Sequence, residues 1–197
     1  MENKNKVLLT VLSVATLLVA LVGASFAYFS ATQSTNTVEV TTGAATIALE
    51  ASNNSVTNIS PTSFDKAAAD AGTNTNIVKM TLTVSGTSDV AGSYDIAMKE
   101  PVITLPANVD GQGTVSDIKY VVYKDGSDTP IKAATSFTGT EKTTDIVTGA
   151  TFNAGDVTGT YYVYVWVDNN DAEQNNLQKV SFDLTFTADV STQTSTN

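Results

Sequence analysis

The chain has 197 residues, with 20 acidic side chains against 10 basic ones, all Lys, and a net charge of −10; it contains neither His nor Cys. An acidic surface without Arg is unsuited to nucleic acid or to an anionic membrane, whose phosphates select for Lys and Arg. The missing His and Cys exclude Ser-His-Asp triads, thiol catalysis, H-E-x-x-H zinc sites, disulfides and a lipid anchor on Cys.

The chain opens with Lys4 and Lys6, an apolar or small run from Val7 to Val22, and then Gly23-Ala24-Ser25-Phe26-Ala27. A basic start, an apolar centre and small residues two apart at Ser25 and Ala27 form a secretory signal, with cleavage expected after Ala27. The run approaches the roughly 20 residues that span a bilayer, so a retained anchor is the alternative. Either way the remainder is expected outside the cytoplasmic membrane, with membrane contact only through this segment. Removing residues 1–27 takes away Glu2, Lys4 and Lys6 and leaves a body one unit more negative, large enough for a single domain with its own core. The expected division is a signal peptide at 1–27, an extended segment at 28–36, a β domain at 37–190 and a polar, frayed tail at 191–197.

Tyr28-Phe29-Ser30 leads through a polar spacer to Val38-Glu39-Val40 and then Gly43 to Leu49, which is too polar and β-branched for a membrane helix. Residues 51–76 are rich in Asn, Ser, Thr and Ala; Ser63 to Asp70 offers a short helix that Ser63 could cap. From Ile77 to Val84, Val78, Met80, Leu82 and Val84 alternate with Lys79, Thr81 and Thr83, which marks a strand with one buried face. Ala91-Gly92 turns the chain into a second strand carrying Tyr94, Ile96 and Met98, which Pro101 ends; the two read as a hairpin or as an arch between sheets.

Residues 108–113 read as a loop. Asp117 to Lys124 follows as a strand with Ile118, Tyr120 and Val122 on one face, and Asp125-Gly126 as a hairpin tip leads to a weaker strand near Ile131–Thr135. Phe137 to Phe152 reads as edge strands or connections. Thr160 to Asp168 is aromatic and β-branched on both faces, so both are expected to be covered. Val180, Phe182, Leu184, Phe186 and Ala188 alternate with polar residues, and this strand is expected to form the central hairpin with Thr160–Asp168. About seven to nine strands at roughly ten-residue spacing predict an all-β, antiparallel two-sheet sandwich, with an immunoglobulin-like topology as runner-up. Tyr162, Tyr164, Trp166, Phe182 and Phe186 are its candidate aromatic core.

The small-residue cleavage box, the aromatic pair Tyr28-Phe29 with Ser30, the Thr/Ser-rich spacer and the strand Gly43-Ala44-Ala45-Thr46-Ile47-Ala48-Leu49 together resemble the TasA/camelysin family. These are surface and biofilm-fibre proteins of Gram-positive bacteria, released by a SipW-type signal peptidase. The likeness is sharpest over Gly23–Leu49 and is supported by Tyr161–Val190. It implies a jelly-roll version of the sandwich, secretion to the cell surface or matrix, and polymerisation with other copies of the same chain. In such fibres an N-terminal strand complements the next subunit. The donor-strand candidates are Tyr28, Phe29, Val38 and Val40, since a free extended segment with spaced apolar side chains can pair with a neighbour's sheet edge. The alternative at that point is that Val38–Leu49 pairs within its own domain.

Chemistry has few footholds. Asp168, Asn170, Asp171 and Glu173 offer oxygen ligands that calcium could use, against the simpler reading of a solvated loop. No other cofactor is implied. The camelysin name carries a metallopeptidase annotation, yet without His or Cys only an all-carboxylate zinc site is conceivable, so no catalytic residue is assigned. No pair of acids has the spacing of a glycosidase motif. Lys79, Lys119 and Lys179 read as exposed strand residues rather than partners in an isopeptide crosslink. An LPxTG-type sorting motif does not follow the domain. The leading expectation is a secreted, fibre-forming structural protein; a membrane-retained or surface-associated adhesion module is the alternative.

Overall fold

The computed structural model describes residues 29–30, 37–42, 44–107 and 109–192. The signal segment with Ser25 and Ala27, Tyr28, the spacer 31–36 and the end of the tail lie outside the described residues. Among those described, no helix is long and apolar enough to cross a membrane.

The body is an all-β sandwich. Among the described residues thirteen strands run in chain order: β1 Phe29–Ser30, β2 Thr37–Thr42, β3 Ala45–Ser52, β4 Ser55–Val56, β5 Pro61–Thr62, β6 Ile77–Ser88, β7 Gly92–Glu100, β8 Ile118–Lys124, β9 Pro130–Ser136, β10 Lys142–Phe152, β11 Gly155–Asp168, β12 Phe182–Asp183 and β13 Thr185–Thr192. The larger sheet runs β2-β3-β6-β11-β8-β9, the smaller one β1-β13-β7-β10, and β4 pairs with β12 apart from both. Among the described residues all strand pairings are antiparallel except that of β5 with the end of β11.

Alternation places the core between the sheets. Met80, Leu82 and Val84 of β6 meet Tyr94, Ile96 and Met98 of β7 in one buried cluster, so the β6–β7 connection is an arch that carries the chain from one sheet to the other. Across this core the Tyr94 and Tyr161 hydroxyls hydrogen-bond at 2.9 Å, a cross-sheet contact that satisfies both buried groups. Gly159 makes room for it, because a Cβ there would stand 2.3 Å from the Tyr94 hydroxyl oxygen.

β11 lies between β6 and β8 and is covered on both faces, as its sequence predicts. Tyr161, Val163, Val165 and Val167 face the inner core. Tyr164 and Trp166 face outward into a second cluster with Ile77, Val121 and Tyr123, roofed by Phe64 and Ala69 from the 57–76 insert. The insert holds the short helix α1, Lys66–Asp70. Its cap is Asp65 rather than the expected Ser63: the Asp65 carboxylate accepts from Ala68 N at 3.0 Å, so the helix starts later.

The expected hairpin of β11 with the Val180–Ala188 stretch does not form. β11 belongs to the larger sheet, whereas β13 pairs with β7 and β1 in the smaller one. Both strands bury an alternate face, but they do so from opposite sides of the same core. Alternation specifies a face, not a neighbour. Phe137–Phe152, read as edge strands or connections, does supply an edge strand: β10 has 11 residues, and its pairing with β7 is interrupted by two register shifts.

Candidate functional site

The sandwich has two long sides, and they are built differently. One carries β9 and β10, the outer strands of the two sheets; the other carries β2 opposite β13, with β1 laid on the β13 edge. Free backbone groups on such edges are the surfaces through which β proteins pair with further strands.

On the β13 side, the strand is paired along its whole length with β7, from Thr185↔Lys99 to Thr192↔Gly92. Its other edge is paired, among the described residues, only through Phe29↔Val190 and Ser30↔Asp189. Beneath this edge Phe186, Ala188 and Val190 are buried and anchor it to the core. β2 lies across from it as a regular strand, paired with β3 without a bulge.

The donor candidates divide here. Val38 and Val40 are 2% and 0% exposed, opposite Leu49 and Ile47 in the β2–β3 hairpin, so they serve this chain's own core. Phe29 has its backbone on the β13 edge, and Tyr28 lies outside the described residues. Sequence pattern treated the four alike, because spaced apolar residues look the same whether they serve their own core or a neighbour's.

On the β9/β10 side the edges are blunted. β9 begins at Pro130 and pairs irregularly with β8. β10 kinks at Gly149, whose φ of +62° suits glycine, and the Gly149 N–H donates to the Asp95 carboxylate. Lys132 reaches across from β9 and donates to the Asp145 carbonyl of β10 at 3.1 Å. Proline, bulges and lysine on an edge all discourage further strand pairing.

The carboxylate loop does not converge. Asp168 accepts from Lys119 Nζ at 2.6 Å and from the Trp166 indole N–H at 3.2 Å. The Lys119 hydrogen bond holds its carboxyl below the usual range, with Trp166 adding to the effect against partial burial. Asn170 accepts from Ala172 N, and Glu173 from the Asn175 side-chain amide, while Asp171 adopts φ +61° in the turn. Among the described residues no group of three or more His, Cys, Asp or Glu side chains is arranged to hold a metal ion.

Two charged clusters escaped the sequence reading. On the outer face Asp70 accepts from Lys79 at 2.6 Å, from Lys66 at 2.9 Å and from the Tyr164 hydroxyl, binding α1 to the sheet. Partial burial opposes the Asp70 charge, but these three donors outweigh it and hold its carboxyl well below the ordinary carboxylate range. Burial and the Asp70 hydrogen bond push the Tyr164 hydroxyl far up. Lys79 also lies 4.0 Å from the Tyr162 ring centre, a cation–π contact. The second cluster surrounds Glu100, which is 1% exposed at the end of β7. A signal for it was present, since period two continues Tyr94, Ile96, Met98 to Glu100 on the inward face.

No protein-family model matches the chain, and no curated protein matches it.

Proposed function

We propose that this chain is an exported structural protein of the cell surface or extracellular matrix that polymerises by N-terminal strand donation and carries out no catalysis. One observation carries the reading. The described N-terminal residues Phe29 and Ser30 pair with Val190 and Asp189 on the edge of β13 away from β7, so an N-terminal segment lies against a sheet edge. In a polymer, Tyr28–Asn36 of one copy would extend along β13 of the next, exchanging a contact made within the chain for the same contact between chains. Head-to-tail exchange of this kind does not close and generates fibres. Val38 and Val40 remain in β2 and fix where the donated segment leaves its own domain. The blunted β9/β10 side supports the same reading by leaving one favoured edge for growth. The resemblance to TasA-like fibre proteins agrees with it, and the signal-like start supplies the export route.

The reading is tested by deleting Tyr28–Asn36. The expected product is a folded monomer that forms no filaments by negative-stain microscopy, while the full mature chain does form them; filaments from the deleted chain would refute the donor role. A Phe29→Cys/Val190→Cys pair adds resolution because the chain has no other Cys. Oxidised under assembly conditions, it should give a ladder of linked oligomers on a denaturing gel, and linked monomer alone would place the strand permanently in its own domain.

A further inference from the structure

Where β2 turns into β3 beside the end of β6, a cavity of about 310 Å³ opens in the larger sheet. Three of its lining residues form a row across adjacent strands: Thr41 of β2 is opposite Thr46 of β3, which is opposite Thr87 of β6. Antiparallel pairing sets their backbones roughly 5 Å apart, and all three are exposed. Thr42, also in the lining, is 4% exposed; its hydroxyl accepts from Ala45 N at 3.1 Å and makes no other hydrogen bond among the described residues. Its proton is therefore unspent. Thr138 and Thr144 differ, since they donate their hydroxyl protons to Glu100. Asp89 completes the lining, and its carboxylate enters no hydrogen bond or ion pair among the described residues. The rim is held in place, because Asp89 N donates to the Ala44 carbonyl at 2.8 Å and Ser88 Oγ to the Val90 carbonyl at 2.7 Å.

We infer that this cavity binds one sugar unit of a neutral polysaccharide, with Thr42 and the Thr41–Thr46–Thr87 row donating to its oxygens and Asp89 accepting from its hydroxyls. Several unspent donors and one acceptor-only carboxylate complement a ligand whose groups each donate and accept. An anion would meet the Asp89 charge with no Lys in the lining. A metal ion would need its oxygens to converge within about 2.6 Å, in a space far larger than an ion. An apolar guest would bury the Thr42 hydroxyl and the Asp89 charge without partners. The volume lies at the small end of the roughly 300–1,000 Å³ of small-molecule sites, which suits a single sugar rather than a chain. No aromatic ring lines the cavity, so one site is weak, with a Kd of about 1–10 mM. Copies repeated along a fibre would act together on one polysaccharide. That repetition rests on the polymer proposed above, whereas binding by one domain does not.

The native chain, isotopically labelled, is titrated with glucose, galactose, mannose and N-acetylglucosamine to about 100 mM and followed by amide NMR, with glycerol as control. At least one sugar should give saturable shifts centred on Thr42, Thr46, Thr87 and Asp89, and glycerol none. Asp89→Ala should weaken that sugar about tenfold and Thr46→Val about threefold, with the rest of the spectrum unchanged. No saturable shifts with any of the sugars would overturn the site, as would equal shifts with glycerol or binding that Asp89→Ala leaves intact.

Discussion

The two long sides of the sandwich are both made of edge strands, yet they solve the problem of an exposed edge in opposite ways. The β9/β10 side spends Pro130, the glycine kink at Gly149 and the Lys132 contact to Asp145 on ending the sheets. Among the described residues, the β13/β2 side has regular strands, with β2 paired to β3 without a bulge and Phe29–Ser30 laid along the end of β13. The difference teaches that an edge becomes an interface through what is left out of it, since backbone donors and acceptors are present on every edge.

The largest expected effect comes from the anchors beneath each side. Phe186→Ala under β13 removes a 4%-exposed ring and should cost about 3–4 kcal/mol in urea unfolding. The matching Phe152→Ala in β10 removes a half-buried ring stacked 6.3 Å from Tyr94 and should cost about half as much, roughly 1.5–2 kcal/mol. Equal losses would mean that the two sides are anchored alike.

A guard can next be moved from one side to the other. Thr187→Lys places a charge on the solvent-facing side of β13 and should slow filament elongation followed by light scattering, while changing stability by less than about 0.5 kcal/mol. Unchanged elongation would show that growth does not use this edge.

The covered face between the two sides gives a pH control. Asp70 has a folded-state carboxyl held below its unfolded value, so its contribution to stability is present above the unfolded pKa of about 3.9 and is lost as pH falls below it. Asp70→Asn should therefore be less stable than the parent chain at pH 6 and approach it towards pH 2 in urea titrations. A constant gap across that range would mean that Lys66 and Lys79 do not act through the Asp70 charge. The smallest effect is expected for Lys132→Ala, within about 0.5 kcal/mol of the parent and with normal filaments, because Pro130 and the bulges still guard that side.

Much of this architecture was legible in the chain. The alternation in Ile77–Val84 and around Tyr94, Ile96 and Met98 marks the inward faces, Asp125-Gly126 marks the β8–β9 turn, and the double-sided run Tyr161–Val167 marks a strand covered on both faces. The β11–β13 pairing misled because a period of two is indifferent to which strand lies alongside. β10 was obscured because Gly149 and the register shifts break the very pattern that identifies strands. Glu100 was passed over because a glutamate before a proline looks like a strand end in water, although its parity points inward.

By itself the sequence determined that this is an acidic β domain without His or Cys, which faces its residues bury, and where its turns fall, because charge, ligand chemistry and backbone periodicity are local properties. Only the tertiary structure decided that Val38 and Val40 belong to the chain's own core, that β13 pairs with β7 rather than with β11, and that Asp70 gathers Lys66, Lys79 and Tyr164 on the outer face. Those outcomes depend on which distant segments become neighbours, and burial, not residue type, then sets what a charge or a free backbone group can do.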